Sequence, residues 1–133
     1  MNVKVFDPVP PKIEAIGKQI ARCAQRVHKE LGPGLLQSIY EACLAHELAQ
    51  HGLEVQRQVP VPVVYDGVTV AEGLYIDLLV EGHVAVEVLS VRTIEPIHGA
   101  YMTSCLRFSG KRLGLMVNFG APNMKQGIKR VVG

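Results

Sequence analysis

The sequence contains no apolar run near the roughly 18 residues that a membrane-spanning helix needs, and its first residues lack the pattern of a signal peptide. We therefore expect a cytoplasmic protein with no membrane partner. Charge of one sign is also scarce, because 14 Lys and Arg face 12 Asp and Glu, for a net charge of +2. That balance argues against a protein built mainly to wrap nucleic acid.

Signatures of several enzyme classes are missing as well. The chain has no P-loop, no dinucleotide-binding fingerprint and no Ser-His-Asp order, and its histidines show no zinc-ligand spacing. Its cysteines, Cys23, Cys43 and Cys105, fall on apolar faces of predicted helices, which indicates reduced core residues. Since 48 % of the 133 residues are hydrophobic, one core is expected. We predict a non-helical N-terminal arm over residues 1–11 and a single domain over 12–133.

The most informative stretch is a pair of apolar runs, residues 74–80 and 84–91, on either side of Glu81-Gly82. Val, Leu and Ile occupy both alternation phases, which predicts a β-hairpin covered on both faces. Only Asp77 and Glu87 interrupt the runs. A buried charge costs several kcal/mol unless it is paired, hydrogen-bonded or bound to a metal, so both acids need an explanation.

The hairpin register decides whether these acids meet. A three-residue loop sets Asp77 opposite Glu87, with Cβ atoms about 5–6 Å apart, whereas a two-residue loop sends Glu87 to the other face. In the first register the carboxylates need a cation, a shared proton or water, and oxygen ligands suit Mg²⁺ or Mn²⁺. In the other interpretation each acid caps a helix or pairs with an arginine.

An Asp on one strand followed by a Glu on the next resembles the core of PD-(D/E)XK nucleases. More narrowly, the chain is similar to the small bacterial GxxExxY family from about His28 to the C-terminus. The matching segments are 28–36, Ser38–Glu41, 77–82 and 113–120. The resemblance implies a mixed sheet flanked by helices, and a site in which two acids hold Mg²⁺ or Mn²⁺ while a lysine acts on the attacking water.

Three positions depart from that pattern. Gln37 stands where the family has Glu, Leu89 where it has the lysine, and Tyr101 where the following helix usually carries Gln. Loss of one catalytic group commonly lowers a rate by about 10²–10⁴. We therefore predict a catalytically inactive nuclease fold, without cofactor, that acts as a binding or assembly module around a vestigial site of Asp77, Glu87, Gln37 and His28.

Two alternatives stay open. One is a weak nuclease that uses Mg²⁺ or Mn²⁺ on Asp77 and Glu87, with His28 or a neighbouring lysine as replacement base. His28 has a second interpretation, a structural histidine favoured by the dipole at a helix C-terminus. The other alternative is a self-associating structural protein, since a proline-bearing edge strand on a small domain favours a homodimer.

Nucleic acid is a possible partner because the first predicted helix, residues 12–31, carries a basic stripe of Lys18, Arg22 and Arg26. Such a stripe fits phosphates, although a solvated helix face is its commoner meaning. In the second helix, residues 36–51, Ser38-x-x-Glu41 fits a capping box, and Glu41 is either that cap or a site residue. The complete predicted order is α-α-β-β-β-β-α-β, with separate strands at 68–70 and 74–80.

Overall fold

The structure, a computed structural model, describes residues 8–133, apart from the side chains of residues 71 and 72. Over those residues one sheet of five strands has the order β1-β2-β3-β4-β5. The β3–β4 pair is parallel and the other pairs are antiparallel. This mixed sheet flanked by helices confirms the predicted fold class. The elements are α1 Pro11–Leu31, α2 Gln37–Gln50, β1 Val55–Tyr65, β2 Val68–Val80, β3 Val84–Leu89, α3 Pro96–Ser109, β4 Leu113–Asn118, α4 Met124–Gly127 and β5 Ile128–Val132.

The chain enters the fold through a proline-rich segment. Residues 1–7 of the predicted arm lie outside the described residues. Val9 is buried against the core, and α1 begins at Pro11, inside the range expected to be non-helical. A proline is accepted at the first helical position because its missing N–H would have no partner there in any case.

The predicted order of elements was wrong at one point. The segments 68–70 and 74–80, expected as separate strands, form the single strand β2. Its ladder with β1 runs from Tyr65↔Val68 to Val55↔Val80, with register shifts between Val61 and Val64. Pairing with β1 therefore carries the strand through a stretch of weak strand propensity. The C-terminal segment, expected as helix or strand, contains both.

Each face of the sheet carries its own core. Helices α1 and α2 cover one face, where apolar side chains of β2, β3 and β4 pack under them: Leu78, Val80, Val84, Val86, Val88, Leu113, Leu115 and Val117. Helix α3 covers the opposite face through another set: Val61, Ile76, Leu79, Ala85, Leu89, Met102, Cys105, Leu106 and Met116. Alternate residues of β3 thus enter different cores, as expected for a strand buried on both faces.

One part of the sheet is only two strands wide. The pairing of β2 with β3 covers Leu78–Val80, so the preceding residues of β2 pair with β1 alone. The far end of this β1–β2 ribbon exposes four large apolar side chains: Val64, Tyr65, Val68 and Val70. A two-stranded ribbon is marginally stable in water, and this one presents apolar surface to solvent.

Candidate acidic site

The hairpin between β2 and β3 has the register of the three-residue loop. Val80 pairs with Val84 and Leu78 pairs with Val86, which makes Asp77 and Glu87 the next opposed positions. The strand pairing stops there. Instead, the backbone N–H of Val88 donates to Oδ2 of Asp77 at 2.8 Å. The strands therefore diverge at the two acids, and the Asp77 carboxylate bridges the opening.

A third acid, Glu41 of α2, is connected to Asp77 by hydrogen bonds from the side-chain amide of Gln58. Nε2 of Gln58 donates to Oε1 of Glu41 at 2.7 Å and to Oδ1 of Asp77 at 3.1 Å. The other oxygen of Glu41 accepts from Nη2 of Arg57 at 2.9 Å and from its Nε at 3.2 Å. Glu41 is buried, so this ion pair and amide contact compensate a charge that would otherwise be costly.

Glu87 is the least satisfied of the three acids. It lies on β3 between Ala85 and Leu89, which both face α3, and its Oε2 is buried without a hydrogen-bond partner among the described residues. Burial, and then the charge of Asp77, raise the pKa of Glu87 to about 7. Burial also raises the pKa of Asp77, against the lowering effect of the hydrogen bonds from Val88 and Gln58. The cluster thus holds a proton near neutral pH.

Among the predicted site residues, Gln37 is not brought into this network. It is the first residue of α2, is exposed, and its side chain makes no hydrogen bond within the part of the chain that the structure describes. The helix contributes Glu41 instead. The capping-box interpretation of Ser38 and Glu41 was wrong because α2 begins at Gln37 with Leu36 as its N-cap, which places Ser38 inside the helix.

The positions that depart from the nuclease pattern have structural contacts. Leu89, at the lysine position, is 5 % exposed and packs in the α3-side core. The hydroxyl of Tyr101 accepts from the Tyr75 N–H at 2.9 Å and donates to the Tyr75 carbonyl at 2.8 Å. Tyr101 therefore supplies hydrogen bonds to the edge of β2 at a point where β3 no longer pairs with it.

His28 is also engaged elsewhere. It is buried in α1, and its Nε2 donates to the carbonyl oxygen of Ala121 at 2.8 Å, while its ring lies 6.4 Å from that of Phe119. This hydrogen bond ties α1 to the segment after β4. The contact favours the structural interpretation of His28 over a role as replacement base, because neither Asp77 nor Glu87 is its partner.

The basic stripe does not converge on the acids either. Lys18, Arg22 and Arg26 are exposed on α1, whose buried side packs on the face of the sheet opposite α3. Nε of Arg26 lies 3.5 Å from Oε1 of Glu47 on α2. The stripe is therefore an outer surface of the domain, separate from the cluster of Glu41, Asp77 and Glu87.

The donor set does not fit a divalent cation in this arrangement. Mg²⁺ and Mn²⁺ favour sites rich in carboxylate oxygens, yet both oxygens of Asp77 and of Glu41 already accept hydrogen bonds from the protein. Of the three acids, Glu87 alone accepts no hydrogen bond from the described residues, and its Oε2 is buried without a partner. Across residues 8–133, no three His, Cys, Asp or Glu side chains are grouped so that they could hold a metal ion.

Comparison with known proteins gives one match. A family model described as the PD-(D/E)XK nuclease superfamily matches residues 14–131, a segment that includes all three acids and Gln58. No curated protein and no solved structure matches the chain. Within the described residues, no helix is both long and apolar enough to span a membrane.

Proposed function

The chain belongs to the PD-(D/E)XK nuclease superfamily, and we propose that it is a nuclease-fold protein that does not cleave nucleic acid and acts as a binding or assembly module. Within the superfamily we place it near the GxxExxY branch, because Gly34 and Tyr40 keep that spacing. Gln37 replaces the acid between them. The chain would thus keep the fold of the superfamily without the chemistry that this fold usually supports.

The observation that carries the proposal is that two of the three acids, Glu41 and Asp77, accept protein hydrogen bonds on both carboxylate oxygens. Arg57 and Gln58 occupy the oxygens of Glu41, and Gln58 and the Val88 amide occupy those of Asp77. At the lysine position, Leu89 is buried in an apolar core and can neither donate nor accept a proton. A site arranged this way supplies neither a free ligand set for a cation nor a group to activate water.

Nucleic acid is the ligand to test first. Lys18, Arg22 and Arg26 form an exposed row on α1, and of these only Arg26 lies within ion-pair distance of an acid among the described residues. A protein that contacts phosphates through such cations binds less tightly as salt rises. We expect binding to be independent of sequence and to weaken between about 50 and 200 mM salt.

Fluorescence anisotropy with labelled single- and double-stranded DNA and RNA tests this interaction. Replacement of Lys18, Arg22 and Arg26 by Ala should weaken binding by at least about tenfold at low salt. In the matched control, Ala replaces three exposed cations outside α1, namely Arg92, Lys125 and Lys129, so that the same net charge is removed. Equal losses in both variants would show that only overall charge matters and would contradict a site on α1.

A weak nuclease that depends on Mg²⁺ or Mn²⁺ is the second candidate function. The observation in its favour is Oε2 of Glu87, a buried carboxylate oxygen without a partner, next to Asp77. This candidate requires metal-dependent cleavage of DNA or RNA that is lost when Asp77 is replaced.

Self-association is the third candidate, and the β1–β2 ribbon favours it. Val64, Tyr65, Val68 and Val70 form an exposed apolar end on a strand pair that the rest of the sheet does not support. A second copy that packs against this end would remove it from water. We propose a homodimer through the ribbon, with a symmetric contact of the same surface on both chains.

A further inference from the structure

Gln58 has a backbone conformation that is unusual for a residue within a strand. Its φ is 51°, in the left-handed region that side-chain-bearing residues seldom adopt. The ladder keeps its register on both sides, with Arg57 opposite Leu78 and Val59 opposite Ile76. No extra residue is therefore inserted at this point, but the pair of Gln58 with Asp77 is missing from the ladder, and the side chain of Gln58 contacts the acids instead. Outliers of this kind concentrate at functional sites.

That side chain ends between two carboxylates. Nε2 of Gln58 is 2.7 Å from Oε1 of Glu41 and 3.1 Å from Oδ1 of Asp77. An amide NH₂ has two hydrogens, one for each acid. A divalent cation shared by the same two oxygens would lie about 2.0–2.6 Å from each, in the space that these hydrogens fill. The amide and a bridging cation therefore compete for one position.

We propose that Gln58 is a plug: its amide holds Glu41 and Asp77 together in place of a divalent cation and keeps such a cation from binding between these two acids. Arg57 supplies the compensating positive charge on Glu41. The inference rests on the proposed function, since it gives a reason why the acids of this nuclease fold would not hold the cation that cleavage needs.

Removal of the plug should open the cluster to a cation. In Gln58→Gly the amide is absent, while glycine adopts a positive φ without steric cost, so the backbone of β1 is retained. Gln58→Asn is a second variant, because asparagine tolerates the left-handed region but its shorter side chain does not span the two acids. In both variants Oδ1 of Asp77 and Oε1 of Glu41 lose their common donor and become free to bind a cation.

The experiment is a titration with Mn²⁺ alone, followed by electron paramagnetic resonance of the free ion, on the full chain at pH 8. We expect Gln58→Gly and Gln58→Asn to bind Mn²⁺ at least about tenfold more tightly than the unsubstituted protein. Adding Asp77→Asn to either variant should abolish the gain. The matched control is Gln56→Gly, a change at an exposed glutamine of the same strand that makes no contact with the acids.

The plug is refuted if both Gln58 variants, folded by circular dichroism, bind Mn²⁺ no better than the unsubstituted protein. It is equally refuted if Gln56→Gly gives the same gain, or if the unsubstituted protein already binds Mn²⁺ tightly through Asp77. These outcomes differ from failure of the proposed function, which would be cleavage of nucleic acid by the unsubstituted protein. If the unsubstituted protein does not cleave nucleic acid and the Gln58 variants gain no Mn²⁺ binding, the proposed function stands and the role of Gln58 is refuted.

Discussion

Asp77 accepts a hydrogen bond from the backbone amide of Val88 across the opening between β2 and β3, at a distance of 2.8 Å. The Asp77 carboxylate is thus the acceptor here, where a backbone carbonyl is the acceptor in the rest of the ladder. Asp77 is therefore a structural residue whatever its chemistry, and substitutions at this position change both the charge of the site and the end of the strand pairing.

The first prediction follows from this double role. Asp77→Ala leaves the Val88 N–H without its acceptor, whereas Asp77→Asn can keep that acceptor through its amide oxygen. Both substitutions remove the charge and the acceptor for Gln58. We expect Asp77→Ala to have a free energy of unfolding about 1–2 kcal/mol below that of Asp77→Asn. Urea unfolding of the two variants measures the difference. Equal stabilities would mean that the hydrogen bond to Val88 contributes nothing.

The second prediction concerns pH. The pKa of Glu87 is raised to about 7 from its ordinary value of 4.5, first by burial and then by the charge of Asp77. The folded state therefore holds this proton more tightly than the unfolded chain. The associated stability is fully present below about pH 4.5 and is lost as pH rises through about 7.

Between pH 5 and 8 we expect this loss to be on the order of 1–3 kcal/mol, after allowance for the partial exposure of the group. Glu87→Gln has no proton to lose and should show a flatter profile. Urea unfolding at both pH values, in the presence of a chelator, compares the two proteins. Profiles of the same slope would contradict the assignment of the proton to Glu87.

Tyr101→Phe provides the third prediction. The substitution removes the hydroxyl that bonds both backbone groups of Tyr75, on the stretch of β2 that has lost β3 as a partner. We expect a loss of about 1 kcal/mol in the free energy of unfolding, because these bonds are partly open to water. Tyr65→Phe is the matched control, since the side chain of Tyr65 is exposed and makes no hydrogen bond to any residue from 8 to 133. If Tyr65→Phe lowers the free energy of unfolding by as much, the role assigned to the Tyr101 hydroxyl is contradicted.

The fourth prediction is a test of the dimer. Light scattering at micromolar concentration should give the mass of two chains, 29 kDa from the 14.5 kDa of one. The double substitution Tyr65→Ser with Val68→Ser, at the exposed end of the ribbon, should give the mass of one chain. Val132→Ser is the control, because Val132 is exposed but lies on β5. A monomer for the unsubstituted protein would refute the homodimer.

Much of this fold was accessible from the sequence because its central strands carry a strong signal. Apolar residues on both phases identify a buried hairpin, and the two interrupting acids mark where it opens. The sequence could not choose between a two- and a three-residue loop, since Glu81-Gly82 fits either. The structure takes the longer loop, with positive φ at both residues.

The rest of the site depended on features that the local sequence does not carry. Ser38-x-x-Glu41 has the sequence pattern of a capping box. Because the helix begins at Gln37, Glu41 does not cap it and instead contacts Gln58 of β1. Gln58 contributes through a backbone angle that its surrounding residues do not encode as a turn. The sequence left Glu41 open as either a cap or a site residue, and its burial and contacts in the structure decide between the two.

The absence of hydrolysis is tested most directly by a cleavage assay with the protein in excess over end-labelled DNA or RNA, in Mg²⁺ or Mn²⁺. Asp77→Asn is the control because it removes the carboxylate while its amide oxygen keeps the acceptor for Val88. We expect the unsubstituted protein to give no more product than Asp77→Asn. Metal-dependent cleavage that a chelator stops and Asp77→Asn abolishes would contradict the inactive assignment and establish the chain as a nuclease.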